Sequence, residues 1–363
     1  MNSLEIVGDP LDERRNAIWS VVQELYGGTS YRLDDEGEFN QVLVVDERLA
    51  TDMAYVVKLP RKDTCWWRHA LWQEAAFTAE ASDAADSAPV EVQHVLDIGY
   101  GDPERCPALA NRSDFVAERH FLEASFVVYG YVPGESLSLE YVRSHFSPDE
   151  KLEFGRDLGK IICWFASAIN PQSYDDICKY QRPLHDVWHP RTVLQQIARD
   201  TVQLNQMDRE VRDIIIDFSD MARFGKFLSP AKFAPFIGHN DLQLSNLRFL
   251  HDGQWKTSGV FDNNMAGPSN LPLELRRFAH IGAEVVSGAI DSYYGLSGER
   301  CDPIKVQDAV NDWALAQTAI NHYWRQKAGN PLGDIKARWR ALGERWITND
   351  SVRKYPIDAL HNE

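Results

Sequence analysis

The chain has little cysteine, and no pairing can be read from what it has. Its five cysteines (Cys65, Cys106, Cys163, Cys178 and Cys301) are odd in number and scattered, with no CxxC spacing. That pattern supports neither a zinc site nor a disulfide framework, and it points to a reducing cytoplasm. No apolar run approaches the ~18 residues of a membrane helix. The start, Met1-Asn2-Ser3-Leu4-Glu5-Ile6, lacks the basic-then-apolar order of a secretory signal. Lys/Arg-rich runs are also missing, and the net charge is -16. Such a surface repels nucleic acid and draws in cationic small molecules. There is no GxGxxG, no internal repeat, and no low-complexity tract beyond a short Ala/Ser/Asp stretch at 79–89.

What is present reads as an ordinary globular protein, 44% hydrophobic and 25% charged over 363 residues, a length that favours two lobes. Ala17, Ile18, Val21, Val22 and Leu25 recur at helical spacing over 10–26, before Gly27-Gly28. Strand-like runs follow at 41–46 and 54–60, then a helix over 66–81, then strands at 94–99 and 125–130. Beyond Pro133-Gly134 the character turns helical. Helices are expected at 149–168, 190–204, 209–224, 273–287, 304–324 and 335–346, with 170–190 an irregular connection. The expectation is an α+β chain: a small antiparallel β lobe over 1–132, then a larger, mainly helical lobe over 133–363.

The chemistry concentrates in His239-Asn240-Asp241-Leu242-Gln243-Leu244-Ser245-Asn246, followed after a turn at Asp252-Gly253 by Val260-Phe261-Asp262. Two carboxylates and an amide thus fall on loops at the ends of short strands. Phosphoryl transfer needs such a set: one carboxylate to orient a hydroxyl and take its proton, and oxygen ligands to hold Mg²⁺ against phosphates. Taken singly, Asp241 and Asn246 are equally good turn residues.

This pattern resembles the aminoglycoside phosphotransferase and choline kinase branch of the protein-kinase-like fold, and the ordering of elements agrees from about residue 30 to 285. The resemblance implies a two-lobed kinase in which Asp241 is the catalytic base, Asn246 and Asp262 are the Mg²⁺ ligands and His239 organises the loop. Lys58, set in the apolar run Val56-Val57-Lys58-Leu59-Pro60, resembles the lysine that holds the nucleotide phosphates; an edge-strand charge is the plainer alternative. Glu74, with Glu80 as competitor, would pair with it. Gly37, Phe39 and Asn40 would cover the phosphates, and Tyr129, Tyr131 and Val132, before the Pro133-Gly134-Glu135 signature, would border the purine. Glu274 stands where the family has Asp, with a structural role at a helix start as its reading.

The departures are Asn240 and Ser245 in place of glycine, and Asn263-Asn264 after the metal-binding Asp. They fall on the surface bordering the acceptor. The implied activity is transfer of the γ-phosphate of ATP or GTP to a small-molecule hydroxyl, on an aminoglycoside or related antibiotic. A choline-, sugar- or amino-alcohol-type metabolite kinase and a non-catalytic nucleotide-binding regulator are the alternatives. The chain is expected to be a cytoplasmic monomer, without nucleic-acid or membrane partners. Its acceptor pocket would be built from the 170–235 insert and the last helices. His185-x3-His189 is the one suggestive histidine spacing, and Trp66, Trp67 and Trp72 read as helix packing.

Overall fold

The computed structural model describes residues 10–34, 40–46, 54–61, 65–99, 126–179, 184–207, 235–299 and 302–327, with single positions at 209, 212, 215, 216 and 233. Two compact units are present. One comprises Met1–Pro133, Ala168–Pro183 and Gly259–Asn264; the other comprises Gly134–Ser167, Leu184–Ser258 and Met265–Glu363.

The first unit opens with α1 (Pro10–Tyr26), then β1 (Arg32–Asp34), β2 (Asn40–Asp46), β3 (Ala54–Pro60) and α2 (Cys65–Asp83). Strands β4 (Glu91–Val92), β5 (Val95–Gly99) and β6 (Phe126–Gly130) follow. An antiparallel sheet is ordered β1-β2-β3-β6-β5. The two-residue period of β3 sorts its side chains onto opposite faces. Tyr55, Val57 and Leu59 join Ile18, Val22, Leu43, Val45, Phe126 and Val128 in one core. Lys58 therefore points to the other face. Register sets Val56 opposite Tyr129 and Lys58 opposite Val127, so the lysine and Tyr129 share that face. Helix α2 is buried almost all round at Ala70–Ala79, as a core helix is.

The second unit holds α3 (Leu139–His145) and α4 (Pro148–Ala168), whose Phe154, Leu158, Ile161, Ile162 and Phe165 form its buried stripe. Between the units' segments in sequence lies α5 (Pro171–Cys178), which belongs to the first unit. The second unit continues with α6 (Leu184–Trp188), α7 (Pro190–Arg199), α8 (Thr201–Leu204) and β7 (Phe236–Gly238). The hairpin β8 (Leu247–Asp252) and β9 (Gln254–Val260) comes next, then β10 (Gly267–Ser269), α9 (Leu271–Leu275), α10 (Ala283–Ser297) and α11 (Pro303–Lys327). Strand β7 pairs antiparallel with β10, Gly238 opposite Gly267. The end of β9 returns to the first unit, where Gly259 and Val260 pair in parallel with Glu91 and Val92.

Helices α4 and α10 meet backbone to backbone. A Cβ on Gly155 would lie 2.1 Å from the Val285 carbonyl oxygen, and one on Gly288 would lie 2.2 Å from that of Leu152. This contact fixes α4, whose Phe165 ring centroid lies 5.5 Å from that of His239. Val193, Leu194, Ile197, Leu273, Trp313 and Tyr323 belong to a separate core of the second unit.

Three expectations need correction. The stretch 170–190 is helical in two places rather than irregular: the Asn170 side chain caps α5 by accepting from Ser173 N, with Pro171 at the first helical position. The helix expected over 190–204 is broken at Asp200, whose side chain accepts from Gln203 N and starts a new turn. The helix expected over 273–287 is α9 ending at Leu275 and α10 beginning at Ala283 after Gly282. The expected helix at 335–346 and most of that at 209–224 lie outside the described residues, as do Gly37 and Phe39. No described helix is long and apolar enough to cross a membrane.

Candidate active site

In the first unit, Lys58 lies between two carboxylates. Its Nζ is 2.5 Å from Glu74 Oε1 and 2.6 Å from Asp262 Oδ1. Glu74 is wholly buried, whereas the Asp262 side chain is 23% exposed. Burial opposes the charge on Lys58, but the carboxylates of Asp262 and Glu74 outweigh it and hold the ammonium above its usual value. Burial pushes the Glu74 carboxyl up to about 7; Lys58 pulls against that shift and Asp262 adds to it. The Tyr129 ring centroid lies 5.5 Å from the same Nζ, and burial, then the charge of Glu74, holds its phenol well above the ordinary value.

The segment bearing Asp262 is tied down on both sides. Asp262 N donates to Gln93 Oε1 at 3.4 Å, and Asn263 Nδ2 donates to Thr78 Oγ1 at 3.1 Å on α2. Asn263 was marked in the sequence as a departure; here its buried amide fastens the loop to the helix that carries Glu74. Asn40 opens β2 opposite Pro60, two residues along β3 from Lys58. Tyr131 N donates to Ala54 O at 3.4 Å, and Val132 is buried where a Cβ on Gly259 would meet its Cγ1 at 2.1 Å.

In the second unit, both carboxylate oxygens of Asp241 are held. Oδ2 accepts from Gln243 Nε2 at 3.0 Å and from Asn246 Nδ2 at 3.1 Å. Oδ1 lies 2.6 Å from an Arg277 guanidinium nitrogen. A second Arg277 nitrogen donates to Gln243 Oε1 at 2.5 Å. The Asn246 amide also donates to the Asp241 carbonyl at 2.9 Å, which turns its oxygen toward Ser245 Oγ at 3.3 Å.

The loop's backbone is braced from below. Asn240 adopts φ +61°, and Asp262 in the first unit adopts φ +70°; they are the two non-glycine residues with positive φ among those described. Asn is one of the few side chains that tolerate this region, so Asn240 substitutes for glycine at low cost. Its amide also donates to Gly267 O at 2.8 Å, and its backbone N–H donates to Glu274 Oε1 at 2.9 Å. Glu274 accepts from Ser269 Oγ at 2.6 Å as well. Arg276 donates to the carbonyls of Asn240 and Leu273. His239 Nδ1 accepts from Asp241 N at 3.3 Å. Glu274 is thus a buried bracket for the loop rather than only a helix-start charge.

Sequence reasoning missed Gln243 and Arg277. The signal available for the latter was Arg276-Arg277 itself, two cations inside the apolar run Leu271 to Ile281. Among the described residues, no group of three or more His, Cys, Asp or Glu could hold a metal ion. In the first unit the carboxylate of Asp262, and separately in the second unit the amide oxygen of Asn246, are each hard oxygens of the kind Mg²⁺ takes in small number, completing its shell with water and phosphate. Each is a donor of the type that ion accepts.

A search of curated protein sequences found no match. Among solved structures, a mutant aminoglycoside 2'-phosphotransferase IIIa in complex with GDP is similar at 15% identity and TM-score 0.62, over 93% of this chain and 99% of that one. A GDP and kanamycin complex of a related enzyme gives 15% and 0.61, over 92% and 99%. Macrolide 2'-phosphotransferase MphH from Brachybacterium faecium gives 13% and 0.51, over 90% and 96%. These likenesses show the kinase-like α+β fold. The model of the phosphotransferase enzyme family matches residues 31–291. The chain belongs to the phosphotransferase enzyme family.

Proposed function

We propose that this enzyme moves the γ-phosphate of ATP or GTP onto a hydroxyl of a small natural product, an antibiotic of the aminoglycoside or macrolide kind. The observation that carries the reading is Asp241. Its carboxylate is fixed by Gln243, Asn246 and Arg277 within the spacing His239-x-Asp241-x4-Asn246. Such a carboxylate aligns an acceptor hydroxyl and takes its proton as that oxygen bonds to the γ-phosphorus and the nucleoside diphosphate leaves. Lys58, kept charged by Glu74 and Asp262, is the cation for the α- and β-phosphates. Asn40, Tyr129, Tyr131 and Val132 complete the nucleotide side, together with Gly37 and Phe39. Mg²⁺, when bound, supplies neutralisation of phosphate charge, and Asn246 and Asp262 are the residues that would hold it.

The acceptor class draws support from the solved relatives. Those structures include complexes with kanamycin, with streptomycin and ATP, and with gentamicin. The net charge of -16 would attract such polycations. One observation favours a second reading. Arg277 sets a permanent cation against the base, which disfavours an ammonium next to the reacting hydroxyl and suits a sugar-type metabolite over a choline- or amino-alcohol-type one.

Release of nucleoside diphosphate from MgATP and MgGTP, measured against aminoglycosides, macrolides, choline, sugars and amino alcohols, separates the two. Turnover of an antibiotic scaffold supports the first reading. Turnover confined to metabolites replaces it with the second.

A further inference from the structure

Asp241, Gln243 and Arg277 form a closed ring of side chains. Asp241 accepts from the Gln243 amide nitrogen at 3.0 Å, the Gln243 amide oxygen accepts from Arg277 at 2.5 Å, and Arg277 returns to Asp241 at 2.6 Å. One orientation of the Gln243 amide satisfies both neighbours, because the nitrogen must face the carboxylate and the oxygen the guanidinium. Arg277 therefore sets the direction of Gln243 as well as touching Asp241.

We infer that Arg277 is a positioning residue for the proton-accepting carboxylate, placed outside the His239 to Asn246 motif. The inference rests on the reading of Asp241 as the base. Gln243 and Asn246 both bind Oδ2, so by themselves they leave the carboxylate free to turn about its Cβ–Cγ bond. Arg277 binds Oδ1 and so fixes the plane of the carboxylate. A planar guanidinium holds its two partners in one fixed plane, a constraint an ammonium does not impose.

The two side chains are 30% and 15% exposed, so the pair is partly buried and can serve stability as well as orientation; kcat and KM measurements on folded variants separate the two. Its consequence for the reaction is orientation, and a misplacement of about 1 Å at a reacting group costs on the order of 10²-fold in rate. The neighbouring Arg276 serves the backbone instead, through the carbonyls of Asn240 and Leu273.

The test measures phosphoryl transfer from MgATP or MgGTP to water, which stands in for the acceptor hydroxyl, and to any acceptor found in the panel. Arg277→Gln is expected to lower kcat about 10²-fold while the nucleotide KM stays within about two-fold. Arg277→Lys should recover part of that loss, and added guanidinium ion should restore turnover to Arg277→Ala. Gln243→Leu, which opens the ring at its other member, should lower kcat about ten-fold and serves if the Arg277 variants misfold. The double variant Asp241→Asn/Arg277→Gln should be no slower than Asp241→Asn, because both act on one event. A kcat for Arg277→Gln or Gln243→Leu within about two-fold of the parent, beside an inactive Asp241→Asn, overturns the inference and leaves the base in place. Losses that multiply in the double variant overturn it as well. Full turnover by Asp241→Asn removes the base and the inference together.

Discussion

Lys58 Nζ lies 2.5 Å from Glu74 Oε1, so the strand lysine and the helix glutamate form a buried pair, and the same nitrogen reaches Asp262 at 2.6 Å. Three residues far apart in sequence thus share one ammonium. Two of them, Lys58 and Glu74, are set by the two-residue period of β3 and the burial of α2. The third arrives on a segment pinned through Asn263 to Thr78.

Removing the lysine leaves a buried carboxylate alone. Lys58→Met should lower stability by about 3 kcal/mol, the cost of breaking a buried pair. The loss should grow with pH. Glu74 already sits above the unfolded carboxyl value, at about 7, and loses its cation in the variant. A carboxyl raised in the folded state stabilises at low pH, and that contribution disappears as pH rises through the folded value. Urea unfolding at pH 5 and pH 8 in the presence of a chelator checks this, and Lys58→Met/Glu74→Gln should remove the pH dependence. An equal loss at both pH values contradicts it.

His189 provides an acid-sensitive point in the second unit. Burial, then the charges of His185 and Arg276, holds its imidazole down to about 3, and its neutral Nδ1 caps α7 by accepting from Arg191 N at 3.2 Å. The unfolded chain binds this proton near the ordinary histidine value of about 6.5, so the stabilisation is complete above that pH and is lost as pH falls toward the folded value. The expected slope is at most about 1.4 kcal/mol per pH unit below pH ~6.5. His189→Asn keeps a capping side chain without the titration and should flatten the slope in urea midpoints taken from pH 7 to 4. An unchanged slope excludes His189 as its source.

Asn240 is left-handed at φ +61° and ties the loop to Gly267. Asn240→Ala should cost about 1–2 kcal/mol, from the left-handed conformation and the lost hydrogen bond together. Asn240→Gly should cost less than Ala, because glycine accepts the backbone conformation freely. Thermal unfolding of the three proteins ranks them; Ala at or above Gly contradicts the account.

Much of this protein was legible in its sequence, for reasons that differ by element. The helix at 10–26 and the strand at 54–60 agree with α1 and β3 at both ends, because each combines a clear period with a terminating signal. Helix α5 was missed although Asn170-Pro171 is a cap followed by a first-turn proline, because the apolar period behind it is short. The expected helix over 273–287 ran through a real break, since apolar residues continue across it while Arg276 and Arg277 are drawn to the loop at Asn240 and Asp241. Strands β7 and β10, three residues each, carry no period at all. The meeting of Lys58 with Glu74 and of Asp241 with Asn246 could be expected because the spacing of these residues carries the family pattern. The pairing of Arg277 with Asp241 could not be read, because the Arg276-Arg277 doublet marks two cations but not the partner that folding gives each.

The central claim is that Asp241 takes the acceptor proton. Asp241→Asn preserves size and polarity and removes the base, and turnover in the presence of MgATP or MgGTP should fall about 10²–10⁴-fold while nucleotide affinity stays within about two-fold. Turnover equal to that of the parent enzyme, with nucleotide bound equally well, would contradict it.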